Sequence, residues 1–347
     1  MHPSMKRQDL IAAFFPAGIP RLWCPLLTHY RDDRSIDIGR MTAHLTHIVP
    51  WVKGYLIPGS TGDGWELDRD ETKEVVAFAL RMAREHDLSL LLGVLKTDTE
   101  TMKRSIDDML HLFRDHTGVA DAVQCLTSAR VSGFTVTPPK GASLDQQTIY
   151  GDLAAIAEKD VPVALYQLPQ ITDNEVAPAT FETLVAQYEN ILLFKDSSGD
   201  DRIALSDIHK GDVYLVRGAE GDYARWLKDA GGPYDGFLLS TANCFPSQLA
   251  TIIAHTEEGD LDGARDLSER LTHVIDEVFA LVQDVPCGNV FTNANKAIDH
   301  YCAFGPAAPR RGEPMLHGGV RLSQDILLKT GEILDAHDFL PVKGYWE

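Results

Sequence analysis

The sequence predicts an α/β fold, a (β/α)8 barrel with a C-terminal helical extension. Three observations predict it. Eight short apolar runs alternate with eight amphipathic stretches at even spacing. Those units occupy roughly 240 residues, the length of one such barrel. From Asp260 onward the alternation stops and only helical patterns remain. A doubly wound open sheet is the competing arrangement, but no G-x-G-x-x-G follows the first apolar run, as a dinucleotide site would need.

A short helix is expected around Gln8 to Phe15. The strand candidates are Ile19–Pro25, Gly54–Pro58, Ser89–Leu95, Gly133–Thr137, Val161–Tyr166, Asn190–Lys195, Val213–Arg217 and Asp235–Leu239. Between them the helical pattern covers Asp37–Val52, Asp68–Glu85, Asp98–His116, Leu144–Lys159, Pro178–Tyr188, Asp201–His209, Gly221–Asp229 and Pro246–His255. Asp68 and Glu71 have the spacing of a capping box. Thr117 to Arg130 is an unusually long loop before the fourth strand. Helices follow at Asp260–Gln283, Asn289–Phe304 and Ser323–His337, with Gly305–Gly319 as a surface connection. The domain expectation is a barrel over 1–258 and a helical appendix over 259–347 packed on it.

The 347 residues are 44% hydrophobic and 24% charged, ordinary for a soluble globular chain. A formal net charge of −19 would repel phosphates, which argues against a nucleic-acid partner. Five scattered cysteines show no C-x-x-C pair, so neither a zinc site nor a disulfide framework is expected. No apolar run of about 18 residues and no signal peptide is found, so a cytoplasmic protein without a membrane partner is expected. His44 and His47 share a helical face without a third ligand, which reads as surface histidines and no metal.

The chemistry collects at the carboxyl ends of the strands, where barrels of this kind place their sites. The sixth strand, Ile191-Leu-Leu-Phe194, is apolar throughout and ends in Lys195. Burial disfavours the ammonium form of a lysine, and a neutral amine attacks carbonyls to form Schiff bases. The fifth strand ends in Tyr166, a phenol placed to move protons at the barrel mouth. After the second strand, Gly59-Ser60-Thr61-Gly62 offers backbone N–H groups and two hydroxyls to a carboxylate. Ser60 or Thr61 can relay the tyrosine's proton. Thr137 and Lys140 end the fourth strand, Lys96 the third and Ser240 the eighth. Lys96 and Lys140 would attract an anionic distal group if they face the mouth. A lysine nucleophile, a tyrosine acid/base and an anion cradle together suit Schiff-base chemistry on a 2-oxo acid.

With these motifs the chain resembles the pyruvate-dependent class I aldolases, the family of dihydrodipicolinate synthase and N-acetylneuraminate lyase. The matching stretches are Gly59-Ser-Thr-Gly-Asp63, Tyr166-Gln-Leu-Pro169 and Phe194-Lys-Asp-Ser-Ser-Gly199. Gly218, Ser240-Thr-Ala-Asn243 and the segment from Gly288 to Ala297 fit as well. The resemblance implies that Lys195 forms the imine, Tyr166 shuttles the proton, and Ser60 and Thr61 hold the carboxylate of a pyruvate-like substrate. It also implies a homotetramer and no cofactor beyond the lysine imine.

The departures narrow the substrate. Pro138-Pro139-Lys140 replaces the paired tyrosines of dihydrodipicolinate synthases, and Gln170-Ile171 stands where they carry an arginine. Asp63 replaces the usual glutamate, which braces the loop differently. Glu220 and Asp222 fall where sugar-acid lyases bind substrate hydroxyls, or act as helix N-terminal acids. The leading expectation is a lyase acting on a 2-oxo acid, by aldol cleavage to pyruvate or by dehydration of a 2-keto-3-deoxy sugar acid. The alternatives are an aromatic-aldehyde hydratase-aldolase, with Trp65, Pro138 and Pro139 as an apolar mouth, and a non-catalytic barrel that binds 2-oxo acids.

Overall fold

The computed structural model describes residues 5–346. Its centre is a closed barrel of eight parallel strands in sequence order. These are β1 (Leu22–Cys24), β2 (Gly54–Leu56), β3 (Ser89–Gly93), β4 (Val131–Val136), β5 (Val163–Gln167), β6 (Ile191–Asp196), β7 (Tyr214–Arg217) and β8 (Gly236–Leu238). Closure is direct: Leu22 and Trp23 of β1 pair with Phe237 and Leu238 of β8. Nearly every strand residue is buried, as expected where helices cover the outside and side chains fill the lumen.

The helices before and between the strands are α1 (Arg7–Phe14), α2 (Ile38–Ile48), α3 (Arg69–His86), α4 (Thr99–Thr117), α5 (Ala122–Ala129), α6 (Gln146–Ala157), α7 (Pro169–Thr172), α8 (Pro178–Gln187), α9 (Arg202–Leu205), α10 (Tyr223–Trp226) and α11 (Pro246–Glu258). The extension adds α12 (Leu261–Leu281), α13 (Val290–Phe304) and α14 (Gln324–Ala336). The capping box of α3 is formed: the Asp68 carboxylate accepts from the Glu71 N–H, and Glu71 accepts from the Asp68 N–H. Helix α1 is anchored by a buried arginine, Arg7, whose guanidinium donates to the carbonyls of Ile191 and Val185 at 2.8 and 2.6 Å.

Three expectations need correction. The stretch Thr117 to Arg130 is not all loop, because it contains α5. Ala122, Cys125, Leu126 and Ala129 stand at i, i+3, i+4 and i+7, Asp121 caps the start, and Arg130 ends it with φ 64°. The helices expected over Asp201–His209 and Gly221–Asp229 are each a single turn. In the first the chain turns extended at Ser206, whose hydroxyl bonds back to the Ile203 carbonyl. In the second Leu227 is extended and bridges to Tyr234. Lastly, Gly305–Gly319 is more than a surface connection. It opens with a 3-10 helix over Gly305–Arg310 and buries Ala308 and Leu316.

Helix α13 positions the site. Twelve of its fifteen residues are buried, which is unusual for a helix outside a barrel. Ala294, Ile298 and Tyr301 join the same apolar core as the strands, so the extension and the barrel share one interior. Among the described residues no helix is long and apolar enough to cross a membrane.

Candidate active site

Tyr166 on β5 and Lys195 on β6 are cross-strand partners, so their side chains leave the sheet on the same side. Lys195 is 4% exposed, and its Nζ lies 4.0 Å from the centre of the Tyr166 ring, which is itself buried. Gly218, just past β7, makes room for this lysine. A β-carbon there would stand 2.7 Å from Lys195 Cε and overlap Ser197 Oγ, so no larger residue fits without moving the amine. The Cys24 thiol also lies within reach of the Lys195 charge; burial pushes its pKa well up, and the lysine opposes that shift.

The Ser60–Gly62 segment is one turn of 3-10 helix, fully buried. Ser60 Oγ stands 3.4 Å from the Tyr166 hydroxyl. The carbonyls of this turn face away and are all held. Asn289 Nδ2 donates to the Ser60 carbonyl (3.1 Å), the Thr292 hydroxyl to that of Thr61 (3.0 Å), and Thr28 Oγ1 to that of Gly62 (2.7 Å). Among the described residues nothing accepts from the Ser60 or Thr61 N–H groups. Below the turn lies a buried ion pair. Asp63, at φ 60°, accepts from the Tyr30 hydroxyl (2.9 Å) and pairs with Lys296 of α13 (3.3 Å). Lys296 is pulled below its ordinary pKa by burial, with Asp63 opposing. The shorter acid in this loop therefore reaches a lysine on the extension.

The remaining predicted residues are dispersed. Gly59 cannot carry a side chain, since a β-carbon would press on Pro25 at 2.7 Å. Thr137 is buried at the end of β4, and its hydroxyl has no protein partner among the described residues. Lys140 is half-exposed and pairs with Asp173 at 3.4 Å. Lys96 is half-buried just past Leu95. The Ser240 hydroxyl is fully engaged: it donates to Glu220 Oε1 (2.6 Å) and accepts from Asn295 Nδ2 (3.0 Å). Glu220 also accepts from the Thr241 N–H (3.1 Å), the Thr241 hydroxyl and the Tyr223 hydroxyl (3.1 Å). Asp222 is exposed and pairs with Arg225.

Two carboxylates behind the lysine complete the electrostatics. Burial raises Asp196 to about 6, against the pull of its hydrogen bonds from the Ser198 N–H and hydroxyl. Asp201 is fully buried and receives Arg217 through both carboxylate oxygens at 3.3 Å. Arg217 in turn donates to the carbonyls of Ala219 (2.7 Å) and Gly221 (3.0 Å), which holds the β7 loop beside the lysine.

His44 is not at the surface. It is fully buried, and its Nε2 donates to the Asn243 carbonyl at 2.8 Å while Nδ1 faces His29 Nε2 at 3.0 Å. Asp299 lies close to both rings, but its oxygens already take Arg40 (2.7 Å) and Tyr345 (2.8 Å). The guanidinium supplies the positive charge that a metal would bring, and the group reads as a clamp between α2, α13 and the C-terminal segment. His47 stacks on the Tyr345 ring at 4.7 Å.

Sequence reasoning passed over Asn289, Thr292 and Lys296 as site supports, since nothing local to them signals contact with a loop more than 220 residues earlier. It named Trp65 only as an apolar wall. The indole N–H donates to Ser60 Oγ at 2.9 Å, which a lone tryptophan in a loop does not announce.

The fold and site together define a class: (β/α)8 barrels with a buried lysine stacked on a tyrosine at the ends of adjacent strands. Residues 119–290 match the model of the Dihydrodipicolinate synthetase family. The chain is 24% identical over 280 residues to the 4-hydroxy-tetrahydrodipicolinate synthase of Lactococcus lactis subsp. cremoris strain MG1363, covering 80% of this chain and 88% of the relative. The enzyme of the same name from Agrobacterium fabrum is 25% identical over 260 residues, 74% and 80% of the two chains. Among solved structures, YagE from E. coli K12, crystallised in complex with pyruvate, superposes with a TM-score of 0.71 at 18% identity, covering 92% of this chain and 99% of that one. Dihydrodipicolinate synthase from Thermotoga maritima gives 0.70 at 17% identity, covering 93% and 99%. At these identities the two structures speak to the fold.

Proposed function

We propose that the protein is a lyase that forms a Schiff base between Lys195 and a 2-oxo acid, pyruvate or a keto-deoxy sugar acid. The observation that carries this reading is the buried Lys195 amine against the Tyr166 ring, with the Ser60 hydroxyl beside the phenol. Similarity to curated relatives that are synthases supports catalysis, and a structural neighbour bound to pyruvate supports the substrate class. Lys195 attacks the ketone carbon and Tyr166 passes protons to and from the carbinolamine oxygen as water leaves. The Ser60 and Thr61 N–H groups and the Thr61 hydroxyl receive the carboxylate. The iminium then serves as the electron sink for C–C cleavage or for loss of a β-hydroxyl, so no metal or organic cofactor is required.

Thr137, with its unpaired buried hydroxyl just past β4, is free to hydrogen-bond an oxygen of the substrate. Lys140 and Ser240 receive no substrate role here, because Asp173 engages the first and Glu220 and Asn295 the second. Lysine biosynthesis is not the reading we favour. Ile171 offers no charge to a second carboxylate, and the Gln170 amide is turned to the Ser197 carbonyl at 3.2 Å.

One observation favours an apolar carbonyl partner, as in an aromatic-aldehyde hydratase-aldolase. Leu95, Tyr166 and Leu168 form a separate apolar cluster, with half-buried Trp65 and Ile171 packed on it. The resemblance to the pyruvate-dependent aldolases implies a homotetramer, which light scattering tests.

The deciding experiment is borohydride reduction with pyruvate followed by peptide mass spectrometry. A pyruvate-derived adduct on the Lys195 peptide is expected. An adduct confined to Lys96 or Lys140 would move the nucleophile. Tight pyruvate binding with no adduct and no exchange of its methyl protons would make the barrel a binding protein.

A further inference from the structure

Ser60 Oγ has three possible hydrogen-bonding directions, two lone pairs and one proton. Trp65 occupies one lone pair from 2.9 Å, and an indole N–H can only donate. The tryptophan therefore never competes for the Ser60 proton. The nearest partner for that proton is the Tyr166 oxygen, 3.4 Å away. The indole is also well fixed, since its ring packs on the Leu95, Tyr166 and Leu168 cluster five residues along the chain from Ser60. The carbonyl of Ser60 is meanwhile tied to Asn289, so the hydroxyl cannot swing away with its backbone.

We infer that Trp65 is a positioning residue: its indole N–H orients the Ser60 hydroxyl so that Ser60 donates to the Tyr166 oxygen whenever that oxygen lacks its own proton. The inference rests on the reading of Lys195 and Tyr166 above. In the step concerned, a C3–H bond of the pyruvate iminium breaks and its electron pair forms the C2–C3 double bond. The iminium nitrogen takes the former C=N pair to give the enamine, and the proton goes to the Tyr166 oxygen. In reverse the phenol returns that proton and is left as a phenolate, which the Ser60 O–H stabilises. Because Trp65 cannot accept, a proton on Ser60 has no onward route through it. The relay ends at Ser60, and Tyr166 exchanges with the substrate.

The test compares the wild-type protein with Trp65→Phe and with Trp65 replaced by β-(3-benzothienyl)alanine, which keeps the ring shape but has sulfur in place of N–H. Trapping of pyruvate by borohydride is measured first, then exchange of the pyruvate methyl protons in heavy water across pH. Trapping should stay within about 2-fold in both variants, while exchange falls about 10-fold. The pH dependence of exchange should move to higher pH, since the oxygen that takes the C3 proton loses a donor. A benzothienyl variant with the wild-type exchange rate and pH dependence would overturn the inference and leave Trp65 as packing alone. Failure of the wild-type protein to trap pyruvate would overturn the underlying reading as well, and is seen before any variant is compared.

Discussion

The amine of Lys195 and the ring of Tyr166 are held 4.0 Å apart by strand register, as cross-strand partners on β6 and β5. Neither depends on a loop for its place. Substituting either should therefore remove chemistry without disturbing the other. Lys195→Ala should abolish the borohydride-trapped adduct. Tyr166→Phe should still yield the adduct, though more slowly because the carbinolamine loses its proton donor, while turnover drops by about 10²- to 10⁴-fold, the usual share of one acid/base group. A Tyr166→Phe protein with wild-type turnover would remove the phenol from the acid/base role.

Gly218 offers a more demanding check, because it carries no reacting group of its own. A methyl group there would press on Lys195 Cε and Ser197 Oγ. Gly218→Ala should stay folded yet lose about 10²-fold in kcat, the scale of loss from displacing a reacting group by about 1 Å. Unchanged kinetics would mean that the lysine has more freedom than its burial indicates.

The Asp63–Lys296 pair lies 3.3 Å apart with both side chains 1% exposed. Leaving one buried charge alone costs about 3–5 kcal/mol. Lys296→Met should thus lower stability by about that amount in denaturant titration and raise KM for pyruvate through the loosened Ser60–Gly62 turn. By contrast Lys140→Ala should lower stability by no more than about 1 kcal/mol, the most a half-exposed pair with Asp173 contributes, and should leave KM within about 2-fold.

Stability should fall as pH drops from about 7 to 5. Burial lowers His29, His44, His47 and His300 from 6.5. With folded pKa values below the unfolded one, the unfolded chain takes up protons first. The stabilisation is present above about 6.5 and is lost as pH falls. Asp196 acts the other way: raised from 3.8 to about 6, it favours the folded state as pH falls through 6. Burial also raises Glu66 from 4.5 and Asp276 from 3.8, so the four histidines oppose three carboxyls, but between pH 7 and 6 the histidines dominate. Melting temperatures that stay level or rise over that first unit would contradict this balance.

How much of this was legible in the sequence depended on how local the cause is. Lys195 and Tyr166 could be read because each ends a buried strand, and strand ends in such barrels converge. Helix α5 was equally readable from the spacing of Ala122, Cys125, Leu126 and Ala129, but its eight residues are easily taken for loop. Lys140 and Ser240 show the limit of strand-end reasoning. Each follows a strand, yet its hydrogen-bond and charge partners, Asp173 and Glu220, arrive from other segments. Thr292 and Asn289 lie beyond any local pattern, because their work is done on carbonyls more than 220 residues away.

That distance has a consequence for biosynthesis. Chains are made from the amino terminus at about 5–20 residues per second, and early segments fold while later ones are still being added. The strands can close soon after β8 emerges, but the turn at Ser60 and Thr61 keeps three of its fastenings, Asn289, Thr292 and Lys296, in a helix translated later. A ribosome stalled between α11 and α13 would carry a closed barrel whose carboxylate cradle is still slack. The turn at Ser60 and Thr61 would become firm only once α13 has been made.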